Sequence, residues 1–454
     1  MSKNMRFKIA LLSLFLLLSI VGCQQKGRQI FIDKLDLSLM IEKSFRVSSD
    51  CKHIAYVIRI DERECVVLNG KKGKKFDDIL EDTLLFSPDS NQLVYGAAEG
   101  NKEFVVLNGI EEKKYEGIGL PVFSPDSTKI AYIAQQGNYQ FVVVNGKERK
   151  KYHAILPRTI TFSPDSQYIA YVAIRNNMQF LVLNENENQP YDAVSPPVFS
   201  PDNTRMAYLA RSGSTMLSNI DGKEGKPYEE IKIDSLIFSP NSKRVAYIAR
   251  KNKDWLVILD GKEGKGYEAI RDETFIFSPD SERLAYTALK NNKWTMVVDN
   301  VEGKQYDNIA DATFSPNSKQ IAYMARRGNE VFIVLNGKEQ ASYAAIGSNS
   351  LIFSPHGKRF AYIAVKKNMC LLIENGNEGK QYDQIVNPTF SPDGKKVAYM
   401  AKRGRSWFLV MDGEEGEPFD SIIFKSKIVF DSKRSLHYLA MKDSCIYLLH
   451  RKIN

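Results

Sequence analysis

Leu236-Ile237-Phe238-Ser239-Pro240-Asn241-Ser242, followed by Arg244-Val245-Ala246-Tyr247-Ile248-Ala249, is the stretch on which the fold turns. Its first residues read as a short apolar strand. Ser239 to Ser242 read as a turn, because proline presets φ and Asn or Asp accepts hydrogen bonds from the backbone that follows. Arg244 to Ala249 read as a second strand. Arg250 to Asp254 are a polar loop, and Trp255-Leu256-Val257-Ile258-Leu259 form a third strand rich in β-formers. Asp260-Gly261 is a hairpin signal, replaced by Asn-Gly at Asn108, Asn145 and Asn336. Tyr267 to Ile270 are expected to form a fourth strand.

The same phrase recurs. Phe-Ser-Pro-Asp or Phe-Ser-Pro-Asn begins at Phe86, Phe123, Phe162, Phe199, Phe238, Phe277, Phe314 and Phe390, at intervals built from 37 or 39 residues. Phe353 opens a variant with His356 in place of the acid, and degenerate copies lie around Val47 and Phe430. Eleven copies of a four-stranded unit with no helical periodicity predict an all-β chain, a β-propeller of about eleven four-stranded blades. The Ser-Pro-Asp turn followed by Ile-Ala-Tyr resembles the WD40-like propeller repeats of TolB-type proteins and of prolyl-oligopeptidase relatives. The resemblance covers about residues 44–450 and implies a propeller that makes protein–protein contacts. The chain lacks the amino-terminal domain of TolB and the catalytic domain of the peptidases, so neither activity transfers.

Propellers usually hold four to eight blades. The first strands contain apolar pairs such as Leu84-Leu85, Leu236-Ile237 and Leu351-Ile352. If these lined the axis, a ring of eleven would enclose a wide apolar hole. The expectation is therefore two propellers, residues 44–235 with about five blades and 236–454 with about six, and one large ring is the alternative. The last unit lacks a fourth strand. Gln29 to Ile41, within a linker of residues 23–43, is expected to supply it and protect an open edge.

Residues 1–22 read as a leader. Lys3, Arg6 and Lys8 precede an apolar run from Ile9 to Val21, too short to span a bilayer comfortably, and Gly22-Cys23 follow. This resembles the lipobox of bacterial lipoproteins. The resemblance implies acylation of Cys23, anchoring in the cell envelope, and, with Gln24 rather than Asp next, the outer membrane or periplasm of a Gram-negative organism. Four cysteines remain, Cys51, Cys65, Cys370 and Cys445, in no metal or redox pattern. Cys51 falls in a turn and Cys65 in a strand, which gives a bridge no geometric support. The net charge of +9 is modest for 454 residues and does not argue for nucleic acid.

Catalytic motifs are not found. The five histidines, His53, His153, His356, His437 and His450, fall in different units or without ligand spacing, so no metal, cofactor or catalytic residue is expected. The recurrent tyrosine of Ala-Tyr is expected to pack between blades. Glu81, Asp82, Asp234, Asp272, Glu273 and Asp311 enter the first strands and are expected to form an acidic rim at the channel mouth. The loops between second and third strands turn basic in the carboxy-terminal half: Arg250 and Lys251, Lys290 and Lys293, Arg326 and Arg327, Lys366 and Lys367, Lys402 and Arg403. Trp255, Trp294 and Trp407 leave three of these loops. Clustered cations with large aromatics suit a binding face. The expected function is a lipid-anchored, non-catalytic scaffold for an envelope protein. The alternatives are a receptor for an anionic glycan or other polyanion through the basic and Trp loops, and an envelope hydrolase at the channel mouth.

Overall fold

A computed structural model describes residues 28–453. The leader and Cys23 lie outside the described residues. Eleven antiparallel sheets follow one another along the chain. Blade 6 shows the plan. Its first strand is broken into Glu230–Ile231 and Ile237–Phe238, both paired with the second strand, Val245–Lys251. The third strand is Asp254–Leu259 and the fourth is Lys262–Tyr267. Residues 269–270 pair with Leu289 and Ala288 and so open blade 7. The expected fourth strand at 267–270 is thus the join between two blades, and the outer strand lies earlier, at 262–267.

Two sequence signals act directly on the backbone. The hairpin Asp260-Gly261 has φ of +50° and +76°, a turn that favours glycine at its second position. The carboxylate of Asp260 also accepts the Val245 N–H at 2.9 Å, tying the hairpin to the start of the second strand. Asn69, Asn108, Asn145, Asn336 and Asn375 do the same in their blades. In the other turn, the Ser239 hydroxyl oxygen accepts the Arg244 N–H at 2.9 Å, and Asn241 Oδ1 accepts the Lys243 N–H at 3.1 Å.

These turns also link the blades. The Asp202 N–H donates to Ser242 Oγ at 3.0 Å, and the Asn241 N–H to Ser281 Oγ at 2.9 Å. The same step joins Asp50 to Ser90, Asp89 to Ser127, Asp126 to Ser166 and Asp280 to Ser318. Each accepting serine is buried and has positive φ.

Between every pair of blades lies an apolar core. Tyr247 of blade 6 meets Tyr228 of blade 5 edge-on, with centroids 6.3 Å apart, and the pattern repeats at Tyr286 with Tyr267 and Tyr399 with Tyr382. The core between blades 5 and 6 packs Ala207, Leu209 and Met216 against Val245, Tyr247 and Ala249. This is where the two-propeller reading places its boundary, and the packing there continues unchanged. Blade 11 closes on blade 1 through Ile423, Leu439, Ile446 and Leu448 against Ile54, Tyr56, Ile58 and Cys65. The molecule is one ring of eleven blades.

The reason lies in side-chain direction. Leu236 and Phe238 point toward blade 5 while Ile237 points toward blade 7, so the apolar first strand is buried between neighbours and leaves the axis free of them. First strands of neighbouring blades lie closer together than their fourth strands, which are linked by long side chains such as Lys265 to Glu302, so first strands line the axis.

Gln29–Lys34 pairs antiparallel with Cys445–Lys452 and is the fourth strand of blade 11. Residues 35–38 lead away. Leu39 and Ile41 then pair with Arg59 and Val57 of blade 1, so the segment 29–41 is divided between the last blade and the first. All four described cysteines are free.

Candidate functional site

The basic loops lie together at one end of the ring, each crossing from second to third strand. Most of their cations are engaged within their own blade. Lys251 pairs with Glu263 at 2.8 Å, Lys290 with Glu302 at 3.1 Å, Arg327 with Glu339 at 2.5 Å, Lys366 with Glu378 at 2.8 Å and Arg403 with Glu415 at 2.8 Å. Arg250 reaches Glu230 at 3.2 Å and Lys293 pairs with Asp307. The glutamates paired with Lys251, Lys290, Arg327, Lys366 and Arg403 sit on the fourth strand, twelve residues on, and several also accept the tyrosine hydroxyl of the preceding blade, as Glu302 does from Tyr267. Glu302 is held down to about 2, chiefly by its hydrogen bonds from Lys265 and Lys290. Arg326, Lys367 and Lys402 make no salt bridge among the described residues. The face is therefore less cationic than its composition.

The tryptophans do not form one platform. Trp407 is buried between blades 10 and 11. Trp255 is half-buried, with Arg250 and Lys232 each 5.5 Å from its ring. Trp294 is half-buried beneath the Arg271 guanidinium, 3.9 Å from its ring.

The first strand is interrupted midway in most blades and bulged instead in blades 7, 8 and 10, where it runs unbroken over Ala269–Phe277, Asn308–Phe314 and Gln384–Phe390. These short excursions hold residues that differ between blades. At blades 5 to 9 they line two adjoining cavities of about 580 and about 530 Å³ that share Lys232 and Asp272. Lys232 Nζ donates to the Ile270 carbonyl at 2.8 Å and pairs with Asp272 at 3.2 Å. Arg271 donates to the Ile309 carbonyl at 2.8 Å. Burial pulls its guanidinium down from its usual value and Glu273 pushes it back up. Asp311 accepts the Asn349 N–H at 2.9 Å.

Asp234, Asp272, Glu273 and Asp311 thus line this wall as expected of channel entries, but Lys232 and Arg271 lie among them. Glu81 and Asp82 belong to blade 2, away from the cavities, with Asp82 3.4 Å from Arg46. Apolar groups are interleaved: Ile233 is 56% exposed, and Phe424, at the equivalent position of blade 11, is 74% exposed. Asp272 and Asp311 face a lysine and a backbone N–H, so the wall offers a mixed-charge, part-apolar recognition surface.

Sequence reading passed over one cluster. Asp431, His437 and His450 lie on three neighbouring strands of blade 11, with donor atoms within 4.8 Å of one another. His437 and His450 are directly opposed across a hairpin, a proximity that register alone creates. The available signal was a break in the repeat: His437 stands where other blades have alanine or, in blade 2, valine, as at Ala246 and Val94.

No family model matches the chain, and no curated protein matches it. Similar solved structures include a eukaryotic initiation factor, at 12% identity over 80% of this chain and 98% of that one, with a TM-score of 0.40. TolB from Acinetobacter baumannii matches at 17% identity over 55% of this chain and 64% of that one, TM-score 0.25. The β-propeller domain of the Trilobed protease from Pyrococcus furiosus matches at 13% identity over 57% and 95%, TM-score 0.29.

Proposed function

We propose that this protein is a lipid-anchored scaffold of the bacterial cell envelope that binds another protein and performs no chemistry. The anchor rests on the leader and Cys23. The binding role rests on one observation. The repeated polar and aromatic positions are used to hold blades together, whereas the first-strand excursions vary and place half-buried Lys232, Arg271 and Asp272 beside the exposed Ile233 on the wall of the two cavities. Interspersed charges around apolar groups suit a protein surface better than a polyanion, because most basic-loop cations already have carboxylate partners.

Crosslinking and affinity recovery from the native envelope test this reading. Wild type should recover a partner that Ile233→Asp and Asp234→Lys lose, while all three proteins melt alike. Identical recovery by all three would overturn it. The unpaired Arg326, Lys367 and Lys402 favour a second reading, an anionic glycan held at the basic loops. That reading requires binding that weakens steeply with salt and fails in Trp294→Ala and in Lys367→Glu.

A further inference from the structure

The seam where blade 11 meets blade 1 departs from the repeat at three positions. Register places His437 where blade 6 has Ala246, Asp431 where it has Ser239, and His450 where it has Leu259. Blade 11 has no Ser-Pro-Asp turn, and Cys51 occupies the place of the accepting serine in blade 1. Three small or apolar residues have been replaced together by three metal-ligating ones, at the one junction not made by consecutive blades.

The geometry of His437 is specific. Its ring is buried. Nε2 lies 2.7 Å from the Asp50 carbonyl oxygen, which can only accept, so Nε2 carries the proton. Its Nδ1 faces Asp431 Oδ1 at 2.8 Å, another acceptor. A lone pair and a carboxylate confront each other there, and a positive species must lie between them. A proton would satisfy two groups and leave His450, whose ring centroid is 5.6 Å from that of His437, without a role. A metal ion uses all three. An N–H donated to a backbone carbonyl from the far side of the ring is the support that metal-ligating histidines ordinarily receive.

We propose that Asp431, His437 and His450 form a site for one late first-row divalent cation, Zn(II) foremost, at the closure of the ring. Two imidazoles and one carboxylate with a fourth position for water match the ligand preference of Zn(II). At bond lengths of roughly 2.0–2.2 Å, tetrahedral ligands sit roughly 3.3 Å apart, so Nδ1 and Oδ1 need separate only slightly. The ion would tie the inner, second and third strands of blade 11 together and orient His437 toward Asp50 of blade 1.

The test uses tag-free protein freed of metal, titrated with Co(II) followed by its visible absorption, and with Zn(II) by calorimetry and thermal melting. Wild type should bind one equivalent, show the intense bands of tetrahedral Co(II), and melt higher with Zn(II). His450→Leu and His437→Ala restore residues that other blades carry at those positions and should fold; each should bind at least 100-fold more weakly. His450→Leu leaves the His437–Asp431 pair intact. Equal binding by wild type and His450→Leu, or no stoichiometric binding by wild type, would overturn the proposal in favour of a proton-bridged pair.

Discussion

At the scale of single residues, identity follows from what each side chain does for the next blade. Ser242 is buried at positive φ because its hydroxyl accepts the Asp202 N–H. Ser242→Ala should cost about 1 kcal/mol in urea unfolding. Gly357 occupies the equivalent place in blade 9, yet Gly357→Ser should destabilise, because an added Cβ would lie 2.7 Å from the Asn317 side chain. A more stable Gly357→Ser protein would contradict this reading of the turn. Titration follows the same contacts. Asp89 is held down to about 2 by its bond from Ser87, and Asp202 to about 2 by the Thr204 N–H and hydroxyl. Folded values below the ordinary 3.8 give stability that is present above about pH 4 and is lost as pH falls toward 2. Burial pushes Tyr323 and Tyr399 up to about 12, so their contribution is present below about pH 10 and lost as pH rises toward 12. The urea midpoint should fall at both ends of the range. A midpoint unchanged from pH 4 to 2 would contradict the acid limb. The turn serines and Ala-Tyr tyrosines were legible from repetition alone. The glutamates that bind loop cations were not, because a salt bridge between residues twelve apart requires the hairpin register.

At the scale of elements, strand order and hairpins were readable because Asn-Gly, Asp-Gly and Ser-Pro-Asp each impose a particular backbone. The broken first strand was not. Tyr267-Glu268-Ala269-Ile270 has one continuous β-prone pattern, although the chain passes between blades within it. The division of residues 29–41 between two blades was hidden for the same reason: short pairings depend on distant partners. The clasp is energetically exposed. Asp33 is buried and accepts the Tyr56 hydroxyl at 2.7 Å, linking the added strand of blade 11 to blade 1. Tyr56→Phe should cost about 1–3 kcal/mol by leaving that carboxylate short of a donor. Removing residues 28–34 should lower the melting temperature by many degrees, since it uncovers Cys445–Lys452 as an open edge. An unchanged melt after that truncation would show the clasp to be dispensable.

At the scale of the molecule, the count of eleven was legible and the closure was not. The two-ring expectation assumed that apolar first strands face the axis. Period-two alternation instead sends Leu236 and Ile237 to opposite neighbours, so a large ring exposes little of them. The basic loops likewise drew notice by composition, while the wall holding Lys232 and Arg271 is assembled from single residues about forty positions apart. A rigid ring whose repeated positions are consumed by packing leaves recognition to these inner excursions and to the seam. Electron-microscopic class averages of the purified protein, viewed down its axis, put that arrangement to the most direct test. One closed ring with eleven lobes around a single opening is expected; two smaller rings meeting near residue 235, or an open arc, would contradict it.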